Sequence, residues 1–361
     1  MTVAANVANV ANVAIIGCGL IGTQWDANAP PGAARAHSLT HAAGFSRHPQ
    51  ARLAALCDQD LARAQQAAQR WGAAAAFDDP QALFAAQPVD IAVVAASSAA
   101  RWSVVQPALA AGVKVLVIEK PLATTLAESR RLAQAVAASG VQSIVNFSRR
   151  WDPAMRDLRE RIRSGGLGAI QRFNATYGKG IANNGSHMID LVGFLCDGVP
   201  RRVRALGSPL AAGEADWCAG KDRALDAQVE YADAQGRSFL LTMLATDQRA
   251  FTAFELRVVG SAGLYDFRRG GRQLAYTPLQ DDPDYAGYVV PGEPQPLQAG
   301  LLEAMDRMAD EAVRLAQGAL AESSCDVHSA LRTALAVEAI NISALEQERW
   351  VDLATLDSAP S

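Results

Sequence analysis

Two ionisable side chains lie at positions where the local sequence pattern gives little structural reason for an ionisable residue. Lys120 follows the apolar run VKVLVI and one glutamate, and His187 follows the turn-forming segment GKGIANNGS at 178–186. An imidazole exchanges protons near neutral pH, and an ammonium group stabilises negative charge that develops on oxygen. This pair suits a reaction in which a hydroxyl group loses its proton, such as hydride removal from a secondary alcohol carbon.

Each of these residues also has a simpler interpretation. Lys120 could be a surface residue in the turn before Pro121, and His187 could lie in the first turn of a helix capped by Ser186. Capping and catalysis are compatible, and we favour catalysis. Asp190 lies three residues after His187 and would share its helix face. Asp190 could orient the His187 ring or stabilise the start of the helix, and the sequence leaves both roles open.

A dinucleotide motif precedes both residues. Gly17, Gly19 and Gly22 follow the apolar strand VAII, in the G-x-G-x-x-G spacing that allows a tight turn, a close phosphate and close helix packing. Asp58 ends the next apolar strand after a Pro-rich insertion, and we expect it to bind ribose hydroxyls and repel a 2′-phosphate. The motif therefore predicts NAD rather than NADP; the alternative is a glycine-rich turn that binds nothing.

The elements that must position these residues fall into two patterns. Residues 1–146 alternate apolar strands with Ala-rich helices, which predicts a parallel sheet covered on both faces. Residues 147–361 predict an α/β domain with an antiparallel or mixed sheet that has one open face. We expect a long loop at 272–296, helices near 298–317 and 326–346, and a last strand at 350–353. The predicted fold class is thus α/β, with a Rossmann domain followed by a substrate-binding domain.

Composition excludes several function classes. Half of the residues are hydrophobic, the net charge is −4, and the five cysteines are scattered without a CxxC pair. These features predict a soluble cytoplasmic protein without a disulfide framework, nucleic-acid surface, signal peptide or membrane span. We predict no metal site either, because His37 and His41 have helical i,i+4 spacing but no carboxylate or cysteine in register.

The sequence resembles the glucose–fructose oxidoreductase / inositol dehydrogenase / MocA family. The resemblance rests on the glycine motif, Asp58, the EKP motif that begins at Glu119, the segment NFSRRWDP at 146–153 and the His-x-x-Asp pattern at His187. It implies a Rossmann domain, a second domain with an open, mainly antiparallel sheet, and dimers or tetramers formed through that sheet. It also implies that His187 accepts the proton or positions the substrate. The acid usual four residues earlier is here Asn183, which cannot accept a proton.

The resemblance completes the expected site. We expect Lys120 and His187 to be catalytic. The expected cofactor-binding residues are Gly17, Gly19, Leu20, Ile21, Gly22, Asp58, Ser97, Ser98, Glu119 and Lys120. The expected substrate-binding residues are Lys120, Arg149, Arg150, Lys179, Asn183, Asn184 and His187. For Arg149 and Arg150, pairing with Asp152 is an equally good interpretation.

The function implied is that of an NAD-dependent dehydrogenase, which moves hydride between nicotinamide and a CH–OH group of a sugar or sugar derivative. A weaker likeness, in LTHA at 39–42 and NNGSH at 183–187, suggests surface-polysaccharide metabolism and a nucleotide sugar. Two alternatives remain: an NAD-dependent glycoside hydrolase and a non-enzymatic nucleotide-sensing regulator. The leading hypothesis requires that Lys120 and His187 face the same nicotinamide ring.

Overall fold

A computed structural model describes residues 10–26, 37–208 and 222–357. The chain forms two compact units, residues 1–151 with 302–328, and residues 152–301 with 329–361. The segment 302–328, which the sequence analysis assigns to the second domain, therefore packs with the first unit. Among the described residues no helix is long and apolar enough to cross a membrane.

The first unit is built on a six-stranded parallel sheet. Its strands are β1 (Ala11–Ile16), β2 (Ala51–Cys57), β3 (Ala75–Phe77), β4 (Ile91–Val94), β5 (Val115–Ile118) and β6 (Gln142–Val145), in the order β3-β2-β1-β4-β5-β6. All residues of β4 and β5 are buried, as the continuous apolar runs predict for strands covered on both faces. The strand order reverses between β1 and β4, which is where such sheets bind ligands.

The helices of this unit connect successive strands. They are α1 (His41–Arg47), α2 (Leu61–Trp71), α3 (Pro80–Ala86), α4 (Arg101–Ala110) and α5 (Leu126–Ser139). Local sequence explains several of their ends: Asp60, Asp79 and Thr125 cap helix N-termini with their side chains. Gly72 ends α2 in the left-handed conformation that favours glycine.

The second unit contains a mixed, mainly antiparallel sheet. Its strands are β7 (Ile170–Tyr177), β8 (Val199–Gly207), β9 (Asp226–Ala232), β10 (Ser238–Ala245), β11 (Phe254–Gly260), β12 (Gly263–Arg268), β13 (Gln273–Asp281), β14 (Val289–Pro291), β15 (Gln295–Leu297) and β16 (Val351–Asp352). Among the described strand pairs of this second unit, only β7–β10 is parallel. The predicted fold class, a Rossmann domain followed by an open, mainly antiparallel sheet, is confirmed.

The remaining helices follow the Rossmann strands. They are α6 (Pro153–Arg163), α7 (Ser186–Cys196), α8 (Ala304–Ala316), α9 (Val327–Leu345) and α10 (Leu353–Asp357). Helix α8 belongs to the first unit, where Met305 approaches Gly44 of α1.

Two local features differ from what the sequence predicts. Residues 272–296 are not a long loop, because β13 pairs with β12, β14 and β15. Pro278, Pro291 and Pro296 lie within these strands. The glycine motif typically opens a helix, but here it is followed only by a π-helix at Leu20–Gln24, and the next described helix is α1. The short last strand is present as predicted, although it covers only Val351–Asp352 because α10 begins at Leu353.

Candidate active site

The glycine turn after β1 has a geometry that only glycine satisfies at two positions. Gly17 has φ +108°, and a Cβ there would lie 2.5 Å from the carbonyl carbon of Ala95. A Cβ on Gly22 would lie 2.0 Å from the carbonyl oxygen of Gly17. The first and third glycines are therefore required by the fold itself.

The middle glycine differs from the other two. A Cβ on Gly19 would meet no atom within 4 Å, so the fold does not require glycine at this position. The open space above the turn is where the motif brings a pyrophosphate close to the backbone. Leu20 is 56% exposed and Ile21 is half-buried, so both lie at the rim of this turn. This cradle fits a dinucleotide.

Asp58 lies against the same turn. It follows β2, and its Oδ2 accepts a hydrogen bond of 2.9 Å from the backbone N–H of Cys18. Its Oδ1 accepts hydrogen bonds of 3.1 Å from the N–H of Asp60 and from Nη1 of Arg63. The carboxylate therefore stands at the edge of the phosphate cradle, as a ribose-binding acid must.

Arg63 is a residue that the sequence analysis missed. It lies in the first turn of α2, five positions after Asp58, and its guanidinium is 44% exposed. Residues at i and i+5 do not form a sequence signature, although the first turn after a ribose-binding acid is a place to look for such a group. An exposed cation at this position bears directly on the choice between NAD and NADP.

The other Rossmann residues lie at the same edge of the sheet. Ser97 and Ser98 follow β4, and Ser98 Oγ accepts a hydrogen bond of 3.3 Å from Thr124 Oγ1. Glu119 and Lys120 follow β5; Glu119 is buried and Lys120 is half-buried. Because all these strands are parallel, their carboxyl ends bring these residues to the edge that carries the glycine turn.

Glu119 has buried partners that the sequence did not reveal. Its Oε1 accepts a hydrogen bond of 2.7 Å from Nδ2 of Asn146 and lies 2.8 Å from Nε2 of His41. Burial raises the pKa of this carboxyl group, but the hydrogen bond from His41 and the other favourable contacts outweigh burial and lower the pKa overall. Glu119 is therefore a carboxylate at neutral pH.

Arg149 and Arg150 lie in a 3-10 helix at Ser148–Trp151 that follows β6. Both side chains are half-buried. Nη1 of Arg150 donates a hydrogen bond of 2.7 Å to the carbonyl oxygen of Ser324, so this guanidinium links two segments of the first unit. A role for either arginine in substrate binding remains a prediction.

His187 lies in a continuous helical stretch of the second unit. A π-helix at Ile181–Gly185 runs directly into α7, and Ser186 already has helical dihedral angles. The interpretation of Ser186 as a helix cap is therefore wrong: its Oγ donates a hydrogen bond of 2.8 Å to the carbonyl oxygen of Asn183 instead.

The true cap of this stretch is Asp222. Its carboxylate oxygens accept hydrogen bonds of 2.8 Å from the N–H of Ala182 and 2.9 Å from the N–H of Asn183. Asp222 follows Asn183 by 39 residues, so no local pattern identifies it. A carboxylate here stabilises the exposed N–H groups and positive end of the helical turn.

The predicted substrate residues of this unit surround the same turn. Lys179 has φ +69° and is half-buried, as are Asn183 and Asn184. The next residue, Gly180, has φ +75°, and a Cβ there would lie 2.3 Å from the carboxyl carbon of Asp222. Glycine is thus required at position 180, where the segment turns closely onto Asp222.

The His187 ring is fixed by packing. It is 8% exposed and lies 6.2 Å from the ring of Phe254 in an edge-to-face arrangement. Asp190, one helical turn on, is also buried. Within the described residues no group of three metal-ligating side chains occurs, and His41, half of the histidine pair considered for a metal, instead contacts Glu119.

Residues 11–147 match the model of an oxidoreductase family with an NAD-binding Rossmann fold, Gfo/Idh/MocA. Among characterised relatives, the chain is 30% identical over 172 residues to D-apiose dehydrogenase of Paraburkholderia graminis, which covers 43% of this chain and 46% of that protein. It is 34% identical over 164 residues to inositol 2-dehydrogenase of Acidothermus cellulolyticus, covering 42% and 48%. The matches thus span about half the length of these relatives.

A solved structure of levoglucosan dehydrogenase in complex with NADH is similar over 95% of this chain and 99% of that chain. The TM-score is 0.73 and the sequence identity is 20%, so this likeness concerns the fold. Residues 11–147 thus have the NAD-binding Rossmann fold of the Gfo/Idh/MocA oxidoreductase family. The expected family and cofactor are therefore confirmed.

Proposed function

We propose that this protein is an NAD-dependent dehydrogenase that acts on a secondary hydroxyl group, or the matching ketone, of a sugar or sugar derivative. One observation carries the proposal. The open glycine cradle, Asp58 and the Glu119–Lys120 pair follow β1, β2 and β5 and so lie at one edge of a single parallel sheet. The glycine turn and Asp58 would hold a dinucleotide at the same edge of the sheet as Lys120.

The names of the relatives support the substrate class. D-Apiose dehydrogenase and inositol 2-dehydrogenase are named for hydroxyl-rich, uncharged substrates. The turn at 179–187 offers one ammonium group, two amides and one imidazole, which are groups that hydrogen-bond to several hydroxyls. Free sugars and cyclitols are therefore the first candidates, and nucleotide sugars the second.

In the proposed mechanism Lys120 and His187 act on the same substrate oxygen. Bound NAD supplies the hydride acceptor. The imidazole of His187 takes the hydroxyl proton while the carbon gives up its hydride, and the Lys120 ammonium stabilises the negative charge on the oxygen. Asn183 cannot take the proton, so His187 carries the proton transfer while Lys120 supplies the stabilising positive charge. Arg149, Arg150, Lys179 and Asn184 are proposed to contact the more distant parts of the substrate.

A substrate screen tests this function. Thermal shift is measured with NAD present and with a panel of free sugars, cyclitols and nucleotide sugars, because a ligand that binds the native state raises its melting temperature. Each compound that stabilises the protein is then incubated with NAD, and absorbance at the NADH wavelength is followed. We expect at least one compound to give net NADH.

Two other outcomes would replace the proposal. Release of free sugar from a glycoside without net NADH would indicate the hydrolase. Tight NAD binding with no turnover of any compound would indicate the nucleotide-sensing regulator.

A further inference from the structure

Three buried polar side chains from three elements meet at one carboxylate oxygen in the first unit. His41 of α1 is 0% exposed, Asn146 after β6 is 4% exposed, and Glu119 after β5 is 8% exposed. Both other side chains contact Oε1 of Glu119, at 2.8 Å from Nε2 of His41 and 2.7 Å from Nδ2 of Asn146. A buried polar cluster costs free energy that an apolar cluster of the same volume would not, so its presence beside Lys120 requires a reason.

The contacts fix the protonation of His41. Glu119 is a carboxylate and can only accept, so Nε2 of His41 must carry a proton. The other ring nitrogen, Nδ1, is buried and has no hydrogen-bond partner in the described part of the chain. His41 therefore directs its polar contact to Glu119 alone.

His41 is held rigidly. The N–H groups of Leu39 and Thr40 donate to Oδ2 of Asp26, at 2.9 and 2.7 Å, and the hydroxyl of Thr40 donates to the same oxygen. These bonds fix the start of α1, where His41 is the first residue. On the far side, Gly44 leaves room for Met305, since a Cβ there would lie 3.3 Å from that side chain.

The other side of Lys120 is held by Arg101. This guanidinium is 2% exposed and donates to the carbonyl oxygens of Pro121 and Ala96. Burial lowers the pKa of Arg101 to about 10, opposed by the charge of Glu119, so it stays a cation at neutral pH. The charged and titratable groups that act on Glu119 are therefore His41, Lys120 and Arg101.

We propose that His41 and Asn146 are positioning residues that hold Glu119, and through it the Lys120 ammonium, in the geometry needed for reaction. The inference rests on the proposed function, because it assigns Lys120 a role at the substrate. Lys120 is covalently next to Glu119, so a carboxylate fixed by two donors fixes the backbone from which Lys120 projects. The negative charge of Glu119 also favours the ammonium form of Lys120.

Paired variants of His41 test the proposal by activity. His41→Gln keeps an N–H donor near the place of Nε2, whereas His41→Met keeps the length and loses the donor. We expect His41→Met to lower kcat ~10-fold or more, as small displacements of a reacting group do. The Kd for NAD should stay within about twofold, and His41→Gln should recover most of kcat. His48→Met, at the other end of α1, is the matched control and should resemble wild type.

A second measurement needs no substrate. The chain has four lysines, at 114, 120, 179 and 221, so reductive ¹³C-methylation gives one NMR signal for each, and Lys120→Arg assigns the signal of Lys120. We expect the titration midpoint of Lys120 to fall in Glu119→Gln and in His41→Met and to return towards wild type in His41→Gln. The other three lysines should not move. If the wild-type protein oxidises nothing, these shifts still test the network, and the proposed function fails separately.

The proposal would be overturned if His41→Met kept wild-type kcat and an unchanged Lys120 titration. It would also be overturned if His41→Gln lost as much as His41→Met, because the donor would then be irrelevant. Should His41→Met not fold, Asn146→Ala removes the second donor and must show the same fall in kcat and in the Lys120 midpoint.

Discussion

We propose that Asp58 determines which dinucleotide the first unit accepts. Its carboxylate lies at the glycine turn and also contacts Arg63. As long as the acid is present, it can bind ribose hydroxyls, repel a 2′-phosphate and neutralise the guanidinium. We therefore propose that the protein prefers NAD to NADP. Arg63 lies close enough to Asp58 to bind the 2′-phosphate of NADP if the acid were removed.

Asp58→Ala should reverse this preference. We expect kcat/KM for NAD to fall ~10-fold and that for NADP to rise by a similar factor, because the repulsion is lost and Arg63 becomes available to the 2′-phosphate. Steady-state kinetics with both cofactors measures the ratio. The double variant Asp58→Ala, Arg63→Ala is the control and should lose the gain with NADP. A wild-type enzyme that prefers NADP would contradict the role given to Asp58.

The buried Glu119 predicts a pH dependence of stability. Burial raises its pKa, but the contacts with His41, Asn146 and Lys120 lower it overall, below the ordinary value of 4.5. A lowered pKa in the folded state adds stability at pH values above the unfolded pKa. That stability is lost as the pH falls from about 4.5 through the folded pKa.

Urea unfolding at pH 7, 5, 4 and 3.5 tests this effect in wild type and Glu119→Gln. The difference in unfolding free energy between them should be constant from pH 7 to pH 5 and shrink below it. A difference that stays constant down to pH 3.5 would show that Glu119 is not a stabilised carboxylate.

At the scale of elements, the glycine turn contains one glycine that is needed for folding and another that is needed for cofactor binding. Gly22 is pressed against the carbonyl oxygen of Gly17, whereas Gly19 faces open space. Gly22→Ala should therefore destabilise the protein by about 1–3 kcal/mol, as overpacking does. Gly19→Ala should leave the melting temperature unchanged and weaken NAD binding ~10-fold or more, because its methyl group would occupy the phosphate position. Thermal unfolding and NAD titration of both variants measure the two effects; equal destabilisation by both would contradict this division.

Much of the element pattern could be predicted from the sequence, for a physical reason. Strands such as β4 and β5 are buried on both faces and read as unbroken apolar runs, and helices such as α3 begin at a capping Asp followed by Pro. The segment at 272–296 was misread as a loop because of its Pro, Asp and Gly content, yet Pro278, Pro291 and Pro296 lie within strands. Strand β13 buries only Leu274 and Thr277, three residues apart, so it has no period-2 alternation that would reveal a strand.

The contacts that complete the candidate site could not be predicted in this way. His41 and Glu119 are 78 residues apart, and Asp222 and Asn183 are 39 residues apart. Each pair is in contact only because the fold brings distant segments together. No periodicity or local spacing in the sequence predicts such a contact. The sequence shows only that Glu119 adjoins Lys120 and that Asn183 precedes His187, and the catalytic roles of Lys120 and His187 stay predictions.

At the scale of the whole molecule, the second unit presents one face of its sheet to solvent. Residues such as Thr176, Thr242, Leu244 and Arg257 line a depression of about 370 Å³ on this face, and Leu244 is 48% exposed. We propose that this face joins copies of the chain into a dimer or tetramer, as the sequence resemblance implies.

Light scattering on wild type and Leu244→Glu tests the assembly. We expect wild type to be a dimer or tetramer and Leu244→Glu to weaken association at least ~10-fold, because a charge would be buried at the interface. Leu345→Glu, which alters a leucine 78% exposed on α9, is the control and should assemble normally. A monomeric wild type, or an assembly sensitive only to Leu345→Glu, would contradict the proposed interface.

The most direct test of the whole account is a double-mutant cycle on the rate of NADH formation with the substrate found in the screen. Lys120→Ala and His187→Ala should each lower kcat/KM by ~10² or more, as loss of a general acid–base group does. The double variant should lose little beyond the worse single variant, because the two groups act on one oxygen. Wild-type rates in either single variant, or two losses that simply multiply, would contradict a shared site.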